Sequence, residues 1–246
     1  MEFSKTAFEE LIEKIERNIR KLGEHNADFA KKGESAANKW YIPGPLARVI
    51  IAAVNKLVKF INWVTKKLTD LFKGSFAPLT LHLDSLVWQD ETVRGKASSA
   101  SSNTMKVNLL APRKWEGDGA DSYVGAIWGQ SAAAGRVSTS AVSISDTLSS
   151  VANAGILFYA AMGAFLVQFI FAVIAAAGTA ATGIGIPIAV VTAMGEGAAG
   201  WLVVGGALAA LAKILSEASK ALGDLKGDSV DDTGFPEDGH WPSGTA

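Results

Sequence analysis

The chain has 246 residues, 49% of them hydrophobic and 19% charged, with a formal net charge of −1. An ordinary globular domain carries about a quarter charged residues, so this chain is shifted toward apolar character. The near-zero charge lacks the bulk basic signature of a nucleic-acid binder, and the absence of cysteine excludes disulfides, thiolate metal sites and a cysteine nucleophile.

The N-terminus, Met1-Glu2-Phe3-Ser4-Lys5, runs straight into a charge-rich amphipathic segment instead of the apolar core of a signal peptide. Export would therefore need a signal-peptide-independent route. Thr6-Ala7-Phe8-Glu9 fits a capping box, hydroxyl first and carboxylate three residues later. Phe8, Ile12, Ile15, Ile19, Leu22, Asn26 and Phe29 then recur at alternating steps of four and three, the seam of helices packed side by side. Asn26 is the polar member of that seam, either a register- and partner-selecting residue or an exposed one near the helix end.

Pro43-Gly44-Pro45 interrupts the helix, because proline lacks the backbone donor and disfavours helix before it. A second helix is predicted over 46–73. Its apolar positions include Val49, Ile50, Ala53, Leu57, Ile61, Val64, Leu68 and Leu71. Its polar side is basic, with Arg48, Lys56, Lys59, Lys66, Lys67 and Lys73, and Phe60 and Trp63 lie among them. Such a face suits an anionic membrane surface or the solvated side of a helical hairpin.

Gly74 and Pro78 mark the next break. A third helix is expected over 79–108, weak across 96–103, and a turn over 109–119 containing Pro112, Gly117 and Gly119. A fourth starts near Ala120 and carries Tyr123, Ile127, Ala134, Val137, Ala141, Ile144, Leu148 and Val151.

From Thr147 to Gly195 there is no Asp, Glu, Lys or Arg, and Glu196 is the single charge before Lys213. A membrane span needs roughly 20 apolar residues, so this stretch is long enough for two. It is predicted to divide into helices over 154–177 and 188–215, joined through Gly178, Gly183, Gly185 and Pro187. Small residues recur every four positions, as Ala172, Ala176 and Ala180 and as Gly185, Ala189, Ala193 and Gly197, which lets helix backbones approach closely. Tyr159 and Trp201 suit an interface. The hairpin is expected either in a membrane or packed against the other helices or a partner; its high Ala and Gly content weakens the transfer energy.

Beyond it, 216–246 reads as an acidic flexible tail, with Phe235, Trp241 and Pro242 as a short docking element or a solvated end. The expected fold is thus all-α: two antiparallel helical hairpins (1–75 and 76–153), a long apolar Gly/Ala-rich helical hairpin (154–215) and the tail (216–246).

The residue patterns point away from catalysis. His25, His82 and His240 are isolated and lack metal-ligand spacing. Glu9, Glu10, Glu13 and Glu16 lie at helical offsets from Lys14, Arg17 and Arg20, a solvated charge-paired face and not an acid/base pair in a cleft. The glycines of 178–185 follow no strand and lack the Lys-Ser/Thr ending of a phosphate loop. No catalytic residue, metal site, cofactor, small-molecule substrate or nucleic-acid partner is expected.

Lys114-Trp115-Glu116-Gly117-Asp118-Gly119-Ala120, with Tyr123 three residues on, resembles the WXG motif of type VII (ESX) secretion substrates, where a Trp-x-Gly turn joins two antiparallel helices. The resemblance covers about 79–151, and the apolar segment that follows resembles the layout of the longer members of that group. The family implies a helical heterodimer or higher assembly, and a secreted or cell-envelope location. Trp115, Gly117 and Tyr123 would shape the hairpin tip, with the tryptophan packing across the opening, while Asn26 and its seam would select a partner. The sequence departs from the family in one respect. Tyr41, Tyr123 and Tyr159 are followed at the fourth position by Pro45, Ile127 and Gly163, so no Tyr-x-x-x-Asp/Glu export signal is present. Either a partner supplies that signal or the chain is not itself directly recognised. The expected function is that of a non-enzymatic, secretion-associated protein acting by helical assembly and membrane contact; the alternative is a membrane-inserting protein, pore-forming or anchoring, that uses 154–215.

Overall fold

In the computed structural model, residues 4–179, 185–228, 230, 235, 240 and 241 are described, and among them no strand forms. The elements are α1 (Lys5–Ala37), α2 (Gly44–Phe72), α3 (Ala77–Gln89), a π-helical turn (Glu91–Gly95), α4 (Lys96–Asn103), α5 (Ala111–Lys114), α6 (Asp118–Thr179) and α7 (Ile186–Asp228). The protein is all-α, as expected, with long apolar helices toward its C-terminal end.

Several boundaries differ from expectation. The cap of α1 is Ser4, whose Oγ accepts from Ala7 N at 3.3 Å, while Thr6 lies inside the helix. Two residues upstream, the extended backbone of Ser4 lets its hydroxyl accept from the amide three residues on, the usual N-cap bond. The segment expected as one helix over 79–108 is split at Asp90, which has extended backbone and caps Glu91. The turn of 109–119 contains the short α5. The fourth helix and the first arm of the apolar hairpin are a single helix, α6. Nothing between Ser149 and Gly155 removes a backbone donor. A lone glycine costs only about 1 kcal/mol, too little to end a helix whose other residues each add a hydrogen bond. The second arm also runs past 215, so residues 216–228 are helical and not tail. That extension, Glu217 to Asp228, is rich in good helix formers and carries a Lys213–Glu217 pair one turn apart. Ala180, Gly183, Pro242 and the acids Asp231, Asp232, Glu237 and Asp238 lie outside the described residues.

The chain forms two compact units. The first comprises Met1–Ala77 and Ala154–Ala212. It holds α1, α2 and the hairpin made by the later part of α6 and the earlier part of α7. Asn26 meets Asn62, and Gly33 meets Val54, so α1 and α2 are antiparallel. Phe169 meets Gly197 and Phe165 meets Gly200, so the two apolar arms are antiparallel as well. Gly163 of α6 lies on Leu11 and Ile15 of α1, and Tyr159 Oη donates to Leu71 O of α2 at 3.2 Å. Four helices therefore share one core, filled by Phe29, Phe169, Leu22, Ile15, Ile61, Leu57, Met162 and Leu166.

The second unit comprises Pro78–Asn153 and Lys213–Ala246. Its seam is built from small residues. Ser145 Oγ donates to Ser85 O at 2.8 Å, and Ser131 Oγ donates to Ser101 O at 2.9 Å. The matching positions run in opposite directions, so α3 and α4 lie antiparallel to the early part of α6. Ala133, Ala134 and Ala141 are fully buried along the same seam. Small side chains bring the backbones close enough for serine hydroxyls to reach carbonyls on the facing helix.

Candidate functional site

The first unit has two unlike sides. α1 carries seven basic and seven acidic residues, many paired one turn apart, as in Arg17–Glu13 at 3.1 Å and Arg20–Glu16 at 3.2 Å. These are solvent-exposed pairs of small individual worth. α2 is different in sign. It carries Arg48, Lys56, Lys59, Lys66 and Lys67 against the single acid Asp70. Asp70 accepts from Lys73 Nζ at 2.8 Å, and that hydrogen bond and charge hold its carboxyl below the usual carboxylate range.

The apolar side belongs to α6 and α7. α7 attaches to the bundle along a narrow line, Ile186, Val190, Ala193, Gly197 and Val204, at steps of three, four and seven. Gly185 and Ala189 stand off that line and are only half-buried, while Ala193 and Gly197 are on it. A strict four-residue step drifts around a helix of 3.6 residues per turn, so only part of the small-residue series can face the bundle. The rest of α7 points away. Leu157 and Phe171 of α6 and Ile188, Val191, Leu202 and Val203 of α7 are all 62–77% exposed. Half of the most apolar stretch of α6 is buried, but only 6% of that of α7. Both helices are long and apolar enough to cross a membrane.

Aromatic side chains hold α7 in place. Phe60 and Trp63 of α2, Phe165 and Phe169 of α6 and Trp201 of α7 form one cluster. Trp63 and Trp201 have ring centroids 5.0 Å apart, and Phe60 and Phe169 are 5.7 Å apart edge to face. The rings sit on glycine backbone. A Cβ at Gly197 would lie 2.6 Å from Phe169 and 2.7 Å from Phe60, and one at Gly200 would lie 2.5 Å from Phe165. Edge-to-face pairs of this kind add to area burial. Trp201, singled out as an interfacial residue, is half-buried in this cluster.

The remaining sequence candidates lie elsewhere. Asn26 is buried, and its Nδ2 donates to Asn62 Oδ1 at 2.8 Å, while its own Oδ1 has no partner. In the second unit, Gly117 has φ +101°, a conformation that only glycine adopts without strain. Its carbonyl accepts from Ala120 N and Asp121 N and starts α6. Trp115 stands between α5 and α6. It is 48% exposed and folds over Gly119 and Tyr123, with ring centroids 6.0 Å from the tyrosine. A tight glycine turn returns the indole onto its own helix start, where it covers one turn of backbone.

Among the described residues, no three His, Asp or Glu gather as metal ligands. The basic, aromatic-bearing face of α2 is legible in the sequence as a candidate membrane surface, but its place beside α7 is not, because that rests on the contacts of Phe60 with Gly197 and of Trp63 with Trp201. Compared with protein-family models, curated proteins and solved structures, the chain matches none of them.

Proposed function

We propose that this chain is a non-enzymatic helical protein that works by contact, with the apolar face of its first unit set against a membrane. The observation that carries the reading is the row of large apolar side chains turned outward along α7, with Leu202 among the most exposed. Soluble monomers rarely leave such a face uncovered. The charged sides of α1 and α2 on the same bundle give it a direction, water on one side and an apolar phase on the other. Flotation of the purified full-length chain with liposomes tests it. The chain should rise with the vesicles, and a soluble monomer that stays below without detergent overturns it.

A second reading rests on the turn at Trp115-Glu116-Gly117. Its positive glycine φ and the packing of Trp115 on Tyr123 support a resemblance to the Trp-x-Gly turn of type VII secretion substrates, with a helical partner and a secreted or cell-envelope location. Co-purification from the native host tests this. A small helical protein held in fixed stoichiometry is expected, and recovery of the chain alone removes it.

A further inference from the structure

We propose that the first unit lies on an anionic phospholipid bilayer, with the outer face of α7 in the apolar layer and one flank of α2 at the level of the phosphates. This rests on the membrane reading above and names the lipid chemistry. Lys56, Phe60, Trp63 and Lys67 follow one another at steps of four, three and four, so they form a single stripe along α2. Phe60 and Trp63 fix where that stripe faces, because they touch Gly197 and Trp201 of α7. Lys56 and Lys67 therefore flank α7 one turn before and one turn after the aromatic pair, and both are exposed. The sequence of groups is that of a membrane edge: apolar residues on α7, then 43%-exposed Trp63, then ammonium groups. Lys59 and Lys66 stand one position from Phe60 and Lys67 and extend the positive strip away from α7. The one acid of α7 in this region, Glu196, precedes Gly197 by one residue and is exposed.

Lying on the bilayer is favoured over spanning it. Met162, Leu166 and Phe169 of α6 are buried in the bundle core, where Gly163 lies on Leu11 and Ile15 of α1 and Phe169 meets Phe60 of α2. Drawing the hairpin through the bilayer would carry the fourteen charges of α1 with it or strip the core from the bundle. The outer face of α7 enters the interface with the bundle intact.

The test uses the full-length chain and two vesicle types, phosphatidylcholine alone and equal parts phosphatidylcholine and phosphatidylglycerol. Binding should favour the anionic vesicles and weaken as salt is added. Replacing both Lys56→Gln and Lys67→Gln should lower partitioning roughly thirty-fold, from about 1 kcal/mol per lysine at such a surface. The control pair Lys14→Gln and Lys21→Gln on α1 should leave it unchanged. Circular dichroism checks that the variants keep their helix. Equal binding to both vesicles, with the α2 variant unaffected, overturns the lipid assignment and leaves membrane contact standing. Binding to neither removes both. A dimer by light scattering that ignores vesicles gives the α7 face to a second copy and also overturns the proposal.

Discussion

Asn26 Nδ2 donates to Asn62 Oδ1 at 2.8 Å across the α1–α2 seam, with 36 residues of chain between them. The bond ties a buried amide on one helix to an exposed one on the other. Asn62→Ala should destabilise the protein by about 1–2 kcal/mol, because it leaves the Asn26 amide buried without a partner. Asn26→Leu removes both the amide and its unsatisfied Oδ1, so it should be neutral or stabilising at some loss of register control. Thermal unfolding of the two variants decides it; the opposite order would show that the pair does not hold the seam.

Gly197 and Gly195 are two residues apart and should respond oppositely to a side chain. Gly197→Leu would drive atoms into Phe169 and Phe60 and should cost about 1–3 kcal/mol. At Gly195 a Cβ meets nothing within 4 Å, so Gly195→Ala should stabilise by up to about 1 kcal/mol through helix propensity. Equal responses in denaturant titrations would mean that α7 does not seat its glycines on the aromatic rings.

At the turn before α6, Gly117→Ala should cost about 1–2 kcal/mol, since its φ of +101° strains any residue with a Cβ. Trp115→Ala should cost only about 1 kcal/mol, because the indole is half exposed. Differential scanning calorimetry separates the two, and a larger loss for Trp115 would place that ring against something outside this chain.

In the second unit, Ser145→Leu should destabilise by about 1–3 kcal/mol, because the residue is buried against the Ser85 carbonyl. Ser150→Leu, on the exposed side of the same helix, should change stability by under about 0.5 kcal/mol. Chemical unfolding followed by circular dichroism reads both.

The Asp70–Lys73 pair sets a pH dependence of small size. The folded carboxyl titrates below its unfolded value, so its contribution is present above the unfolded carboxylate pKa and is lost as pH falls through the folded one. Asp70→Asn should remove that acid-limb component from a series of melts. The effect is small because the pair is exposed.

Periodicity in the sequence determined which faces of α1 and α2 turn inward. Phe8, Ile12, Ile15, Leu22, Asn26 and Phe29 are buried in α1, as are Ile50, Leu57, Ile61, Val64 and Leu68 in α2. It also determined the all-α class and the apolar hairpin, since a heptad repeat and a charge-free run are local properties of the chain. It did not determine what those faces meet. That Gly163 receives Leu11 and Ile15, that Gly197 lies beneath Phe60, and that Trp63 reaches Trp201 depend on contacts between segments more than 100 residues apart. Only close packing in three dimensions chooses among them. The same holds for Lys56 and Lys67. Their charge is written in the sequence, but their place beside an outward apolar helix is fixed by the aromatic rings between them.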